Sequence, residues 1–83
     1  MIVVSVHTIE KTLYEGMADA IQLPGIDGEL GILSLHIPLL SLLKSGIIHI
    51  YHRGAQNTEI RILGGFVEIQ PESRVVVLAD TSL

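Results

Sequence analysis

The sequence predicts an all-β protein, a two-sheet β-sandwich of about ten short strands. Three observations carry that expectation. Apolar residues alternate with polar ones through several short segments, glycine and proline punctuate those segments at roughly eight- to twelve-residue intervals, and no stretch sustains a helical period.

The elements follow in order. From Ile2 to Thr8, the residues Ile2, Val4, Val6 and Thr8 share one face of a strand, and Val3, Ser5 and His7 the other. Thr12 to Glu15 reads as a short second strand ending at Gly16, and Ala18 to Leu23 as a third, halted by Pro24-Gly25. Asp27-Gly28 suits a tight turn, because both residues tolerate the positive φ of two-residue hairpin loops, and Glu29 to Leu33 returns as a strand. Only Leu35 to Lys44 has helical potential, which Pro38 limits to a turn or two. In Gly46 to His52, Ile48 and Ile50 point one way with His52, and Ile47, His49 and Tyr51 the other. Arg53 to Asn57 makes a loop before a strand at Thr58 to Leu63. Gly64-Gly65 is expected to turn a second hairpin into Phe66 to Gln70, and Pro71 to Arg74 another into Val75 to Ala79.

The 83 residues suit one domain, 1–83, with a small core. Yet 48% of them are apolar and mean hydropathy is positive, more than a small core can absorb. The excess predicts a surface covered by a permanent partner. Nine acidic residues against five basic ones, with no Lys/Arg cluster, argue against nucleic acid and anionic lipid. Without cysteine there are no disulfides or thiolate sites, which fits a reducing compartment. No signal peptide is expected, since Met1 leads straight into Ile2-Val3-Val4. The longest apolar run, Ile37 to Leu43, is too short to span a bilayer and is interrupted by Pro38 and Ser41.

Catalytic chemistry needs convergent polar groups, and the sequence offers few. His49 and His52 fall on opposite faces of a strand and so cannot share a metal ion, which leaves His7, His36, His49 and His52 as strand or loop surface residues. Glu10, Glu15, Asp19, Asp27 and Glu29 are scattered over turns and strand faces as solvated carboxylates commonly are. No nucleophile elbow or phosphate-binding glycine loop is present. Two tyrosines, one phenylalanine and no tryptophan give little for stacking on bases or sugars. One tip stands apart: Asp27 to Gly31 raises Glu29 between two glycines, where a flat partner could come close to the backbone.

Several motifs together resemble the epsilon subunit of F-type ATP synthases, the counterpart of the mitochondrial delta subunit. They are Thr12-Leu13-Tyr14-Glu15-Gly16 before Ala18-Asp19, Leu23-Pro24-Gly25, Asp27-Gly28-Glu29-Leu30-Gly31-Ile32-Leu33, His36, Pro38-Leu39-Leu40, Lys44 and Gly46. Gly64-Gly65-Phe66-Val67-Glu68-Ile69-Gln70-Pro71 and Val76-Val77-Leu78-Ala79-Asp80-Thr81 complete the set, in the family's order over nearly the whole chain. The resemblance implies a β-sandwich at the foot of the central stalk that is packed on the gamma subunit, rests on the polar loops of the membrane c-ring, and turns with the rotor. It implies that Asp27, Gly28, Glu29, Leu30 and Gly31 face the c-ring, and that His36, Pro38, Leu39 and Leu40 lie towards gamma. Gamma and the c-ring would be the partners, with no cofactor, metal, nucleic acid, small-molecule substrate or direct membrane insertion. The location implied is the cytoplasmic face of a bacterial inner membrane, with the subunit held there through the complex.

Two departures stand out. Where the family has Pro-Gly before the histidine and after the lysine, this chain has Ser34-Leu35 and Ser45-Gly46, so those turns are expected to differ. The sequence ends at Leu83, where the family continues into a helical hairpin, so no C-terminal helical domain is expected and neither is inhibition by that hairpin. The competing expectations are a free-standing β-sandwich that binds a peptide or small ligand, and a small hydrolase or isomerase using Glu29 and His36. Both predict a polar pocket, whereas a coupling subunit predicts a broad apolar face.

Overall fold

A computed structural model of the protein describes residues 1–33 and 38–81. Among these residues there are nine strands and no helix: β1 (Ile2–His7), β2 (Thr12–Ala18), β3 (Ala20–Gly25), β4 (Gly28–Ile32), β5 (Leu39–Leu43), β6 (Gly46–Tyr51), β7 (Thr58–Ile62), β8 (Gly64–Gln70) and β9 (Arg74–Asp80). They form one curled path, β2-β1-β9-β8-β5-β3-β6-β7, with β4 paired to the free side of β3. All pairings are antiparallel except β1 with β9, which run parallel with Val4 opposite Val75 and Val6 opposite Val77.

The alternation in β1 and β6 is realised as expected. Ile2, Val4, Val6, Ile48 and Ile50 are fully buried, while Val3, Ser5, His7, Ile47, His49 and Tyr51 are half-buried on the outer faces. Leu23, Ile62, Val67, Val75 and Val77 complete the most deeply buried set, and no polar or charged residue among those described is buried with them. The two halves of the path meet where β5 pairs with β3. Gly25 pairs with Leu43, Ile26 N–H donates to the Leu42 carbonyl at 3.0 Å, and Lys44 N–H to the Pro24 carbonyl at 2.8 Å. A side chain cannot stand at this seam: a Cβ on Gly25 would lie 2.4 Å from the Gly28 carbonyl oxygen.

Four local expectations change. Residues 39–43, given helical potential by sequence, form β5, because the whole segment pairs with β8 from Leu39–Ile69 to Leu43–Gly65. Tertiary pairing overrides a weak local preference. Pro24-Gly25 does not end the third strand but lies inside it, with Pro24 opposite Glu29 and Gly25 opposite Gly28. The hairpin loop is therefore Ile26-Asp27, one residue earlier than expected, and Gly28 takes the positive φ of 133°. Gly64-Gly65 turns no hairpin. β7 pairs with β6 and β8 with β5 and β9, so the chain crosses from one half of the path to the other at Leu63, whose N–H donates to the Asp80 carbonyl at 2.8 Å. Gly65 has φ 147°, and a Cβ there would stand 2.3 Å from the Leu78 carbonyl oxygen.

That contrast with an unconstrained glycine is measurable. Gly65→Ala should lower the unfolding free energy by about 2–3 kcal/mol. Gly31→Ala, where a Cβ meets nothing within 4 Å, should cost less than about 0.5 kcal/mol. Urea midpoints at constant m value give both numbers.

Candidate interaction surfaces

Two outer faces carry the residues singled out from the sequence. The first is the solvent side of β5, β8 and β9. Strand alternation sends Leu43 inward and Leu40 and Leu42 outward. Register then aligns Leu42 with Phe66 and Phe66 with Leu78 in a row across three strands. Leu40 is 67% exposed, Leu42 60% and Phe66 41%, with Leu78 close behind. Glu68, opposite Leu40 and bonded by the Gln70 amide at 3.2 Å, marks a polar edge to this patch. Beside it Pro38, Leu39, Leu40, Glu68 and Ile69 line a shallow groove.

The sequence grouping of this region divides here. Leu39 lies opposite buried Ile69, on the inward side of β5 at its open end, and Leu40 lies opposite exposed Glu68 on the outer side. Pro38 is exposed just before the strand. His36 lies outside the described residues. Leu42, Phe66 and Leu78 were not singled out, because a strand placed as a helix gives no face on which to align them.

The second face is the β3–β4 hairpin and the outer side of β3, β4, β6 and β7. Asp27 is exposed in the loop, Gly28 opens β4, and Glu29 projects outward and is exposed. Leu30 points inward and packs against the core, so it belongs to the hairpin's foundation, while Gly31 stays open on the outer side. Around Glu29 the face is polar. The Gln22 amide donates to Glu29 at 3.0 Å, the Tyr51 hydroxyl donates to Gln22 at 3.0 Å, and His49 stands 3.3 Å from the Glu59 carboxylate.

Other polar groups remain dispersed. His7 contacts Thr12 at 3.0 Å, and His52, beyond the end of β6, lies 3.5 Å from the Tyr14 hydroxyl and 3.4 Å from Thr58. Among the described residues no three His, Asp or Glu side chains gather as metal ligands, and no helix is long and apolar enough to cross a membrane. An open hollow beside the β1–β2 turn is lined by Thr8, Ile9, Glu10, Lys11, Ala79, Asp80 and Thr81.

With the fold and both faces described, comparison with known proteins decides the family. The sequence matches the profile of the ATP synthase Delta/Epsilon chain, beta-sandwich domain, over residues 1–83. The chain belongs to this family. Two solved structures share its fold. One is a chain of the Euglena gracilis mitochondrial ATP synthase (OSCP/F1/c-ring, rotational state 1), at TM-score 0.85 and 22% identity over 94% of this chain and 49% of that one. The other is a chain of the Tetrahymena thermophila mitochondrial ATP synthase central stalk/c-ring, at TM-score 0.76 and 16% identity over 95% of this chain and 63% of that one. The family fold thus spans about half the length of the first relative and under two thirds of the second.

The apolar row is a surface feature and can be altered without touching the core. Leu40→Thr and Leu42→Thr should each change the unfolding free energy by no more than about 1 kcal/mol, while reducing self-association and dye binding of the isolated chain. Urea unfolding and light scattering check the two halves of that expectation.

Proposed function

We propose that this chain is a non-catalytic rotor subunit of the ATP synthase central stalk, linking the gamma subunit to the membrane c-ring. Membership of the Delta/Epsilon family and a fold shared with chains of two ATP synthase assemblies support the stalk assignment. The observation that carries the linking role is the row Leu42–Phe66–Leu78 with Leu40 beside it, an apolar face in a chain whose core is already complete without it.

Such a face suits a permanent partner. Each apolar Å² covered contributes about 25 cal/mol before the costs of association, so the outer side of β5, β8 and β9 is the natural seat for gamma. The Glu29 hairpin has the opposite character: a short, polar, glycine-flanked tip that sets register on the polar loops of a ring more than it supplies affinity. A sheet packed at interior density between these contacts resists shear, as torque transmission requires. In this reading the subunit is peripheral to the membrane, held through the complex at its cytoplasmic face, with no substrate or cofactor of its own.

Binding to purified gamma tests the arrangement. Leu40→Asp and Leu42→Asp should each weaken it by about tenfold or more, the effect of leaving a charge in a desolvated contact. Leu39→Asp, at the inward side of the same strand, should act through a mixture of binding and stability. Glu29→Ala should leave gamma binding within about twofold and instead weaken association with a gamma–c-ring assembly. Equal gamma affinity for wild type and Leu42→Asp, with the variant folded, would overturn the assignment of that face.

A further inference from the structure

The hairpin carboxylate is tethered by a polar rail that crosses four strands. Glu29 Oε1 on β4 accepts from Gln22 Nε2 on β3, and Gln22 Oε1 accepts from the Tyr51 hydroxyl on β6. The Tyr51 ring stacks beside His49 at 6.1 Å between centroids and 12° between planes, and His49 Nδ1 faces Glu59 on β7 at 3.3 Å. Register makes this possible. Gln22 lies directly opposite Gly31 on one side and His49 on the other, so Glu29 and Tyr51 are its diagonal neighbours. The bare backbone at Gly31 leaves the diagonal path towards Glu29 open.

The Gln22 amide is gripped at both ends. Turned over, it would set its oxygen against a carboxylate, so the Tyr51 hydroxyl donor and the Glu29 carboxylate acceptor together fix one orientation. We propose that Gln22, braced by Tyr51, is a positioning residue that holds the Glu29 carboxylate in a single rotamer for contact with the ring, an inference that rests on the c-ring-facing reading of the hairpin. An unrestrained surface glutamate loses its rotamer freedom at the moment of binding. One already tied through Oε1 has lost it in advance and offers Oε2 to an N–H donor of the partner.

The test uses the full 83-residue chain in two measurements. In the isolated chain, three-bond couplings of Glu29 report its χ1. They should show one rotamer in wild type and averaging in Gln22→Leu, with a downfield Gln22 side-chain amide proton in wild type. In association with a gamma–c-ring assembly, Gln22→Leu should weaken binding about three- to tenfold, Tyr51→Phe less, and Gln22→Leu should add nothing once Glu29→Ala is present. Gln22→Glu, which keeps the Tyr51 bond but sets a like charge beside Glu29, should weaken binding at least as much as Gln22→Leu. It serves as the second variant if the leucine form proves unstable by thermal unfolding. Averaged Glu29 couplings in wild type, or Gln22 variants that bind as wild type while Glu29→Ala does not, would overturn the proposal. If Glu29→Ala itself binds as wild type, the ring contact fails, and the couplings alone then decide whether Gln22 fixes the carboxylate.

Discussion

A curled sheet can enclose a core only if its two halves are held together, and here the halves β2-β1-β9-β8-β5 and β7-β6-β3-β4 are hydrogen-bonded to each other at the narrow seam where β5 meets β3. Gly25 and Leu43 form the pair, and the backbone bonds from Ile26 to Leu42 and from Lys44 to Pro24 flank it. A side chain on Gly25 would strike the Gly28 carbonyl, so the seam and the hairpin turn constrain each other through one missing Cβ. The same few residues therefore fix two things. They turn Leu40 and Leu42 outward on β5, and they set the angle at which Glu29 leaves the body on β4. The apolar face and the polar tip are held in a fixed relation by backbone contacts, which is what the proposed coupling role requires.

Much of this was legible in the sequence, for reasons that can be named. In β1 and β6 the period of two is unbroken and β-branched residues occupy every buried position, so the buried face could be read residue by residue. Segment 39–43 was harder, because Leu39-Leu40-Ser41-Leu42-Leu43 is apolar on both sides of the pleat and has no readable period. Its outward leucines serve a surface and not the core, which is the very reason that its pattern misleads. The Gly64-Gly65 pair reads as a hairpin from sequence because glycine doublets suit hairpins. Here the positive φ of Gly65 serves a close approach to the Leu78 carbonyl while the chain crosses between the two halves of the path at Leu63.

The candidate surfaces show the same division. The hairpin was found from composition, since glycines around a lone carboxylate are visible without knowing any pairing. The row Leu42–Phe66–Leu78 was not, because its members come from three strands and meet only through register. Gln22 carried no signal at all. Its importance arises from lying diagonal to both Glu29 and Tyr51, a relation that exists only after β3 has paired on both sides.

The parallel pairing of β1 with β9 has a consequence for how the molecule comes into being. β1 leaves the ribosome well before β9, yet Val4 and Val6 depend on Val75 and Val77 for one side of their hydrogen-bond ladder. Until β9 has been made, the newborn chain carries an unpaired strand edge beside Ile2, Val4 and Val6. The topology thus gives translation an interval in which an edge strand stands open to other chains.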